Sequence, residues 1–348
     1  MGIFDGTGLD PEYTPGSDIW PATLAELQQR DIEIHGSLSK GSVEDGATAF
    51  VVKGTETASG RVVAIKVYKD PNQQVRHRNG DTIPMTNFFE NERRMLVGLQ
   101  PCPAVPRYFY SVDDSSTLTD DPIQPFHVME FIAGQRVTKF AKDSLNNEPK
   151  KRPDRLIRLL RGVLQTIESI HQFGYLHRDI SDGNVLVDGD GKIRLIDLAE
   201  ASPLGEEHTR LVTTPGLGTD GTASEAQQKV RAIQTDDVNH ACTIGYALFT
   251  GRWKQKTETP ADWYRSLTNA GTPAGIARIL TKGMKARDTN QKIDRAVWNT
   301  AKEVDVAIQS VLDRQRTRRQ AVRGLFWTTI VAAVVIAIGF FVSRQIQQ

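Results

Sequence analysis

The chain has 348 residues, 43 Lys and Arg against 42 Asp and Glu, and a formal net charge of +1, so it offers no basic footprint and nucleic acid is not expected as a partner. Hydrophobic residues at 39% and charged residues at 24% are ordinary for a globular protein, and the length allows one large domain or two modest ones. Cys102 and Cys242 are far apart and lack metal-ligand neighbours, which argues against a disulfide framework and suits a reducing compartment.

The opening "MGIFDGTGLDPEYTPGSD" has no basic n-region and no apolar core, so it does not read as a secretory signal. Gly2 lacks the Ser or Thr that myristoylation wants where Gly6 stands. Gly, Pro and Asp make residues 1–19 an expected flexible arm. Residues 20–70 read as strands and turns, with a hairpin in "AFVVKGTETASGRVVAIKVY". "NFFENERRMLVGLQ" places apolar residues at helical spacing, and "PFHVMEFIAG" is a short apolar strand closed by Gly134. The first third is therefore expected as a mostly antiparallel sheet with one helix.

From residue 152 the pattern changes. "RPDRLIRLLRGVLQTIESIHQFGY" predicts a long amphipathic helix ending near Gly174. The polar cluster "HRDISDGN" follows, crowded between two apolar segments where unpaired polar groups are costly. "NVLVDGDGKIRLIDLAE" then predicts a hairpin on a Gly-Asp-Gly turn. Residues 201–235, rich in Thr, Gly and Ser, read as a long loop. Helices are expected in "DDVNHACTIGYALFTG", "AGIARILTKGMKA" and "RAVWNTAKEVDVAIQSVLDRQ". "GLFWTTIVAAVVIAIGFFV", residues 324–342, has no charge, and eleven of its nineteen residues are Leu, Ile, Phe or Val. As a helix it is about 28 Å long, close to the hydrocarbon thickness of a bilayer, and those eleven supply about −3 to −7 kcal/mol of insertion energy. Arg314, Arg316, Arg318, Arg319 and Arg323 precede it and Arg344 follows, which places residues 1–323 on the cytoplasmic side of an expected C-terminal anchor.

The polar cluster contains His177, Arg178, Asp179 and Asn184 as H-R-D-x-x-x-x-N; Asp197 ends the next strand, and "VAIK" puts Lys66 on an earlier one. In this order and spacing, over about residues 35–313, these motifs resemble the protein kinase family. The resemblance implies an α+β, bilobal fold, with ATP and Mg²⁺ as cofactors and a protein substrate phosphorylated on Ser or Thr. Together with the arm and the charge-free run, it divides the chain into an arm (1–19), a β-rich lobe and hinge (20–134), a helical lobe (135–313), a basic segment (314–323), a membrane helix (324–343) and a tail (344–348). Asp179 is the implied base, and Asn184 and Asp197 the metal ligands, a carboxylate and a carbonyl-type oxygen as Mg²⁺ prefers. Lys66 would contact the phosphates and needs an acid from "NERRML", with Glu92 the match and Glu90 its rival. Gly41 and Gly46 are the outer glycines of the phosphate-covering loop, with Val43 in the middle position. Met129 would guard the rear of the pocket, the main chain of Glu130 and Ile132 would face adenine, and Ala64 and Leu186 would sandwich it. Asp237 would brace the catalytic loop, and "GTDGTASE" with Glu225 would close the activation segment.

Several positions depart from the family pattern. Leu198 and Ala199 follow Asp197 in place of Phe and Gly, and Ser181 stands where a Lys usually contacts the γ-phosphate. "NQQVRHRNGDTIP" lengthens the Lys66–Glu92 separation to 26 residues, at little cost in a surface loop. These departures leave two alternatives: a pseudokinase that binds ATP or acts as a scaffold at the membrane, and a small-molecule kinase of the same broad fold. Arg178 implies pairing with a phosphorylated activation segment, with Thr209, Thr213, Thr214, Thr219 and Thr222 as candidate acceptors.

Overall fold

The computed structural model describes residues 19–38, 49–69, 74–76, 82–114, 118, 121–145, 152–205, 207–209, 229–231, 234–255, 257–285 and 298–346, with side chains to residue 335. The arm (1–18), Gly41, Val43, Gly46, Thr213, Thr214, Thr219, Thr222 and the "GTDGTASE" stretch lie outside the described residues.

In chain order, the first lobe contains α1 (Pro21–Gln29), β1 (Ile32–Ser37), β2 (Ala49–Glu56), β3 (Arg61–Tyr68), β4 (Gln74–Arg76), β5 (Thr82–Pro84), α2 (Met85–Gly98), β6 (Tyr108–Val112) and β7 (Phe126–Glu130). Five of the strands form an antiparallel sheet in the order β1-β2-β3-β7-β6. Successive side chains of a strand point to opposite faces, and β3 uses both. Val63, Ile65 and Val67 join the sheet's own core with Phe50, Val52, Phe126 and Val128. The alternate residues Ala64, Lys66 and Tyr68 share the other face, towards α2 and the second lobe.

The α1 helix corrects the expectation that residues 20–70 hold strands and turns. Pro21 fits the first helical turn, where its missing N–H is not needed. Leu27 is buried against the sheet, and buried Glu26 accepts a hydrogen bond from the main chain of Leu118 at 2.6 Å. Nine residues are too few to show a helical period clearly, and the tertiary contacts that fix this helix come from residues about a hundred positions away.

The second lobe follows through β8 (Gly134–Arg136), α3 (Val137–Leu145), α4 (Arg152–Gln172), β9 (Tyr175–Leu176), β10 (Val185–Asp188), β11 (Ile193–Leu195), β12 (Ser202–Pro203), β13 (Glu207–Thr209), β14 (Lys229–Arg231), α5 (Gln234–Thr250), α6 (Pro260–Asn269), α7 (Ala274–Gly283) and α8 (Ala301–Ile346). A hydrophobic core built mainly on α4, α5 and α7 runs up between the lobes to Met95, Leu96 and Ala64. A sheet-rich lobe beside a helical lobe is the expected α+β, bilobal arrangement.

At its start α8 belongs to this core, through buried Ala301, Val304 and Ile308 and a bidentate pair from Arg161 to Asp305 at 2.5 and 3.2 Å. It then continues through residues 314–323 into the apolar stretch without a break. The membrane span expected over 324–343 is not found: among the described residues no helix is long and apolar enough to cross a membrane. The described side chains stop at residue 335, part-way along that stretch.

Candidate active site

The site lies where β3, α2 and the β10–β11 hairpin converge. The period of β3 sends Lys66 towards α2, and α2 sends Glu92 back because Phe88, Phe89, Glu92, Met95 and Leu96 share its buried face. The Lys66 ammonium lies 2.7 Å from Glu92 Oε2 and 2.7 Å from Asp197 Oδ1. Glu90 is on the solvent side of α2, paired with Arg93, so Glu92 is the acid that meets Lys66. Burial works against a charged lysine here, but Asp197 and Glu92 outweigh it and hold the pKa of Lys66 above its ordinary value. Burial likewise pushes Asp197 up, and the lysine more than offsets this, leaving its carboxyl below the usual range.

Glu92 is held at both oxygens. Oε2 also accepts from Tyr68 Oη, and Oε1 accepts from the Leu198 N–H at 3.0 Å. Burial, then Glu92, push the Tyr68 phenol well above its ordinary value, so it stays a donor. Behind it, His127 stacks on Phe89 with ring centres 4.4 Å apart and hydrogen-bonds Ser111 Oγ through Nδ1 at 2.7 Å. Burial, then the neighbouring Lys66 charge, press His127 down to about 3, which keeps it neutral.

On the lower side, Asn184 ends a short 3₁₀ turn over Asp182–Asn184 and donates through Nδ2 to the Asp179 carbonyl at 2.9 Å and to Asp179 Oδ2 at 2.7 Å. Burial, then Asp197, raise the pKa of Asp179. The loop is braced from beneath by Asp237 in the first turn of α5. Its Oδ2 accepts from the His177 N–H at 2.9 Å and from His171 Nε2 at 2.9 Å, and its Oδ1 accepts from the Arg178 N–H at 2.7 Å. His177 Nε2 donates to the Ile196 carbonyl at 3.0 Å, tying the loop to the strand that delivers Asp197. Arg178 and Asp197 both sit in the left-handed region, with φ of 66° and 65°. Non-glycine residues hold such backbone only when their surroundings impose it, and they concentrate at functional sites. Ala199 is not among the left-handed residues, so Ala in place of Gly carries no strain in this arrangement.

Met129 is buried at the end of β7 and pairs with Ala64 across the sheet. The Glu130 carboxylate is engaged by the Arg107 N–H at 3.0 Å and by Arg194 Nη2 at 2.7 Å, which ties the connection between the lobes to the β10–β11 hairpin. Leu186 packs with Ile132 and Ile196 in a separate small cluster, while Ala64 belongs to the main core.

The donor set suits a magnesium-bound triphosphate. Asn184 spends its amide nitrogen on Asp179, which leaves its side-chain oxygen for a cation. Lys66 Nζ and the Ala199 N–H both bond Asp197 at Oδ1, which leaves Oδ2 for a cation. Among the described residues no three His, Cys, Asp or Glu side chains cluster for a metal. A metal that arrives with phosphates needs fewer protein ligands, and one or two hard oxygens suffice.

Four further residues escaped the sequence analysis: Tyr68, Asn91, His127 and Glu200. Glu200, half-buried, has its carboxyl pushed up to about 8 by burial and then by the Asp179 charge. For Tyr68, alternation with Ala64 and Lys66 was the available signal; for the others the partners come from distant segments.

The chain matches the family model described as protein kinase domain over residues 39–322. It is 28% identical over 183 residues to Citron rho-interacting kinase of Rattus norvegicus, covering 52% of this chain and 8% of that protein. It is 26% identical over 215 residues to a probable serine/threonine-protein kinase of Streptomyces coelicolor, covering 60% and 29% respectively. Against serine/threonine-protein kinase PknL of Mycobacterium tuberculosis it is 26% identical over 217 residues, covering 62% and 49%. The match thus spans less than half the length of each of these relatives. A solved structure titled "PpkA-294 apo form" shares the fold, with a TM-score of 0.54 and 17% identity over 80% of this chain and 96% of that one.

Proposed function

Because the chain belongs to the protein kinase domain family, we propose that it transfers the terminal phosphoryl group of ATP to Ser or Thr hydroxyls of a protein substrate. The observation that carries this reading is the convergence of Lys66, Glu92 and Asp197 at 2.7 Å contacts above the Asp179–Asn184 pair. Phosphoryl transfer needs positioning and charge neutralisation more than covalent chemistry. Lys66, kept charged by its two acids, neutralises phosphate oxygens, and Glu92 fixes where the ammonium stands. Asn184 and Asp197 would hold Mg²⁺, which when bound would offset the charge of the phosphates. Asp179 orients the acceptor hydroxyl and takes its proton, and its raised pKa moves it towards that task. The main chain at Glu130 and Ile132 receives adenine between Ala64 and Leu186. Gly41 and Gly46 cover the phosphates in this reading.

We further propose that residues 324–343 anchor the protein in a membrane, with the kinase lobes on the cytoplasmic side. The charge-free run supports it, as do the five arginines before it and one after. Leu325, Phe326, Trp327, Val331, Val334 and Val335 are all exposed on α8, a contiguous apolar surface of the kind that marks an interaction site.

The test uses labelled ATP, Mg²⁺ and a generic protein substrate. Wild type is expected to label the substrate, and Asp179→Asn, which keeps the shape but deletes the base, is expected to lose 10²-fold or more, roughly the scale of a lost general base. No labelling by wild type, together with a thermal shift on adding ATP, would instead favour the pseudokinase reading that Ser181 motivates.

A further inference from the structure

We propose that Asn91 is a positioning residue: its side-chain amide latches the segment after Asp197 onto α2 and thereby sets the Asp197 carboxylate. This rests on the phosphotransfer reading above. Asn91 Nδ2 donates to two main-chain carbonyls, Ala199 at 2.8 Å and Ala201 at 2.9 Å, from a segment 108 and 110 residues further along the chain. Its side-chain oxygen accepts from Arg94 Nη2 at 3.2 Å. The amide cannot be turned the other way: a guanidinium offers no acceptor and a carbonyl offers no donor, so the NH₂ group must face Ala199 and Ala201.

The neighbouring helical residue completes the grip. Glu92 accepts from the Leu198 N–H at 3.0 Å, and the Ala201 N–H folds back to the Leu198 carbonyl at 3.0 Å. Two consecutive residues of α2 therefore hold the Leu198 N–H and the carbonyls of Ala199 and Ala201. Asp197 stands immediately before this tight turn with a left-handed φ of 65°, a conformation that persists only where its flanks are held. Lys66 secures its carboxylate from one side, and the Asn91 latch secures its backbone from the other. Both grips depend on the same helix, because Glu92 also positions Lys66. A displacement of α2 would release the metal ligand and the lysine together.

The experiment compares the wild-type chain with Asn91→Asp and Asn91→Ala. Phosphorylation kinetics are measured alongside hydrogen exchange at Leu198 and Ala201, with exchange in α5 as the check on global folding. Asp is close to isosteric with Asn but turns both donors into acceptors facing two carbonyls, whereas Ala merely deletes them. The latch predicts that kcat falls about tenfold or more in Asn91→Asp, the scale of two ordinary hydrogen bonds, and falls less in Asn91→Ala. KM for the protein substrate stays near wild type, and protection at Leu198 and Ala201 is lost while α5 keeps its own. Wild-type kcat and protection in Asn91→Asp overturn the proposal. So does a larger loss in Asn91→Ala than in Asn91→Asp, or protection lost throughout α5 in both, since each marks a packing role. If wild type itself transfers no phosphate, the phosphotransfer reading fails, and with it the positioning role.

Discussion

Leu198 is buried together with Leu96 in the core between the lobes, and the buried ring of His177 is tied to the carbonyl of Ile196 two residues before it. The Leu198 main chain is the part Glu92 holds. Leu198→Ala should therefore open a cavity and cost about 2–5 kcal/mol by denaturant unfolding, with a loss of activity as the turn after Asp197 loosens. Leu198→Phe should keep both near wild type. An alanine variant as stable and active as wild type would remove Leu198 from this role. At this scale the sequence made Lys66, Glu92, Asp179, Asn184 and Asp197 legible because their spacing along the chain is itself a signal. It chose Glu92 over Glu90 on the motif match alone; the buried face of α2 supplies the physical reason. Asn91 was illegible because its bonds go to main-chain carbonyls, which leave no trace in residue identity.

The elements that matter most are those that hold a polar loop still. Helix α5 offers Asp237 in its first turn, fully buried, and three donors converge on that one carboxylate. Burial opposes its charge, but the hydrogen bond from His171, then the charges of His171 and His177 and the His177 N–H, bring its pKa down from 3.8 to about 2. The folded value lies below the unfolded one, so the associated stability is complete above about pH 4 and disappears as pH falls through about 2. The shift corresponds to roughly 2 kcal/mol. Asp237→Asn should thus be destabilised at pH 7, and its gap to wild type in urea titrations should narrow as pH drops from about 4 towards 2. A gap that stays constant across that window would mean the brace acts by shape alone. The long helices and the β10–β11 hairpin were legible from period and turn residues. The short α1 was not, since what fixes it is docking: Thr23 Oγ1 accepts from the N–H of Gln124, just before β7, at 2.7 Å.

At the scale of the whole molecule, α8 is one helix that starts in the core of the helical lobe and runs on into a charge-free apolar stretch. Its 46 residues correspond to about 69 Å of continuous rod. Ala301, Val304 and Ile308 complete the core of the helical lobe, and Asp305 and Gln309 both take hydrogen bonds from Arg161. Beyond residue 313 the helix carries its arginines and then turns apolar, with Leu325, Phe326, Trp327, Val331, Val334 and Val335 exposed. Water is a poor solvent for such a surface: full burial of a Leu, Val or Phe side chain is worth about 1.5–3 kcal/mol. The two ends of α8 should therefore respond differently to truncation. A chain ending at Arg323 keeps Lys302, Asp305 and Gln309 against α4 and should remain folded, active and soluble, whereas on the anchor proposal the longer chain should partition with membranes. A chain ending at Thr300 also loses Ala301, Val304 and Ile308 from the core, and each emptied position of that kind costs on the order of 1–5 kcal/mol for a large apolar side chain. That shorter chain should unfold at a markedly lower temperature or fail to fold. Thermal unfolding and membrane fractionation of the three lengths separate the roles. Equal fractionation of the full chain and the chain ending at Arg323 would remove the anchor. Equal stability of the chains ending at Arg323 and Thr300 would show that the start of α8 is no part of the kinase core.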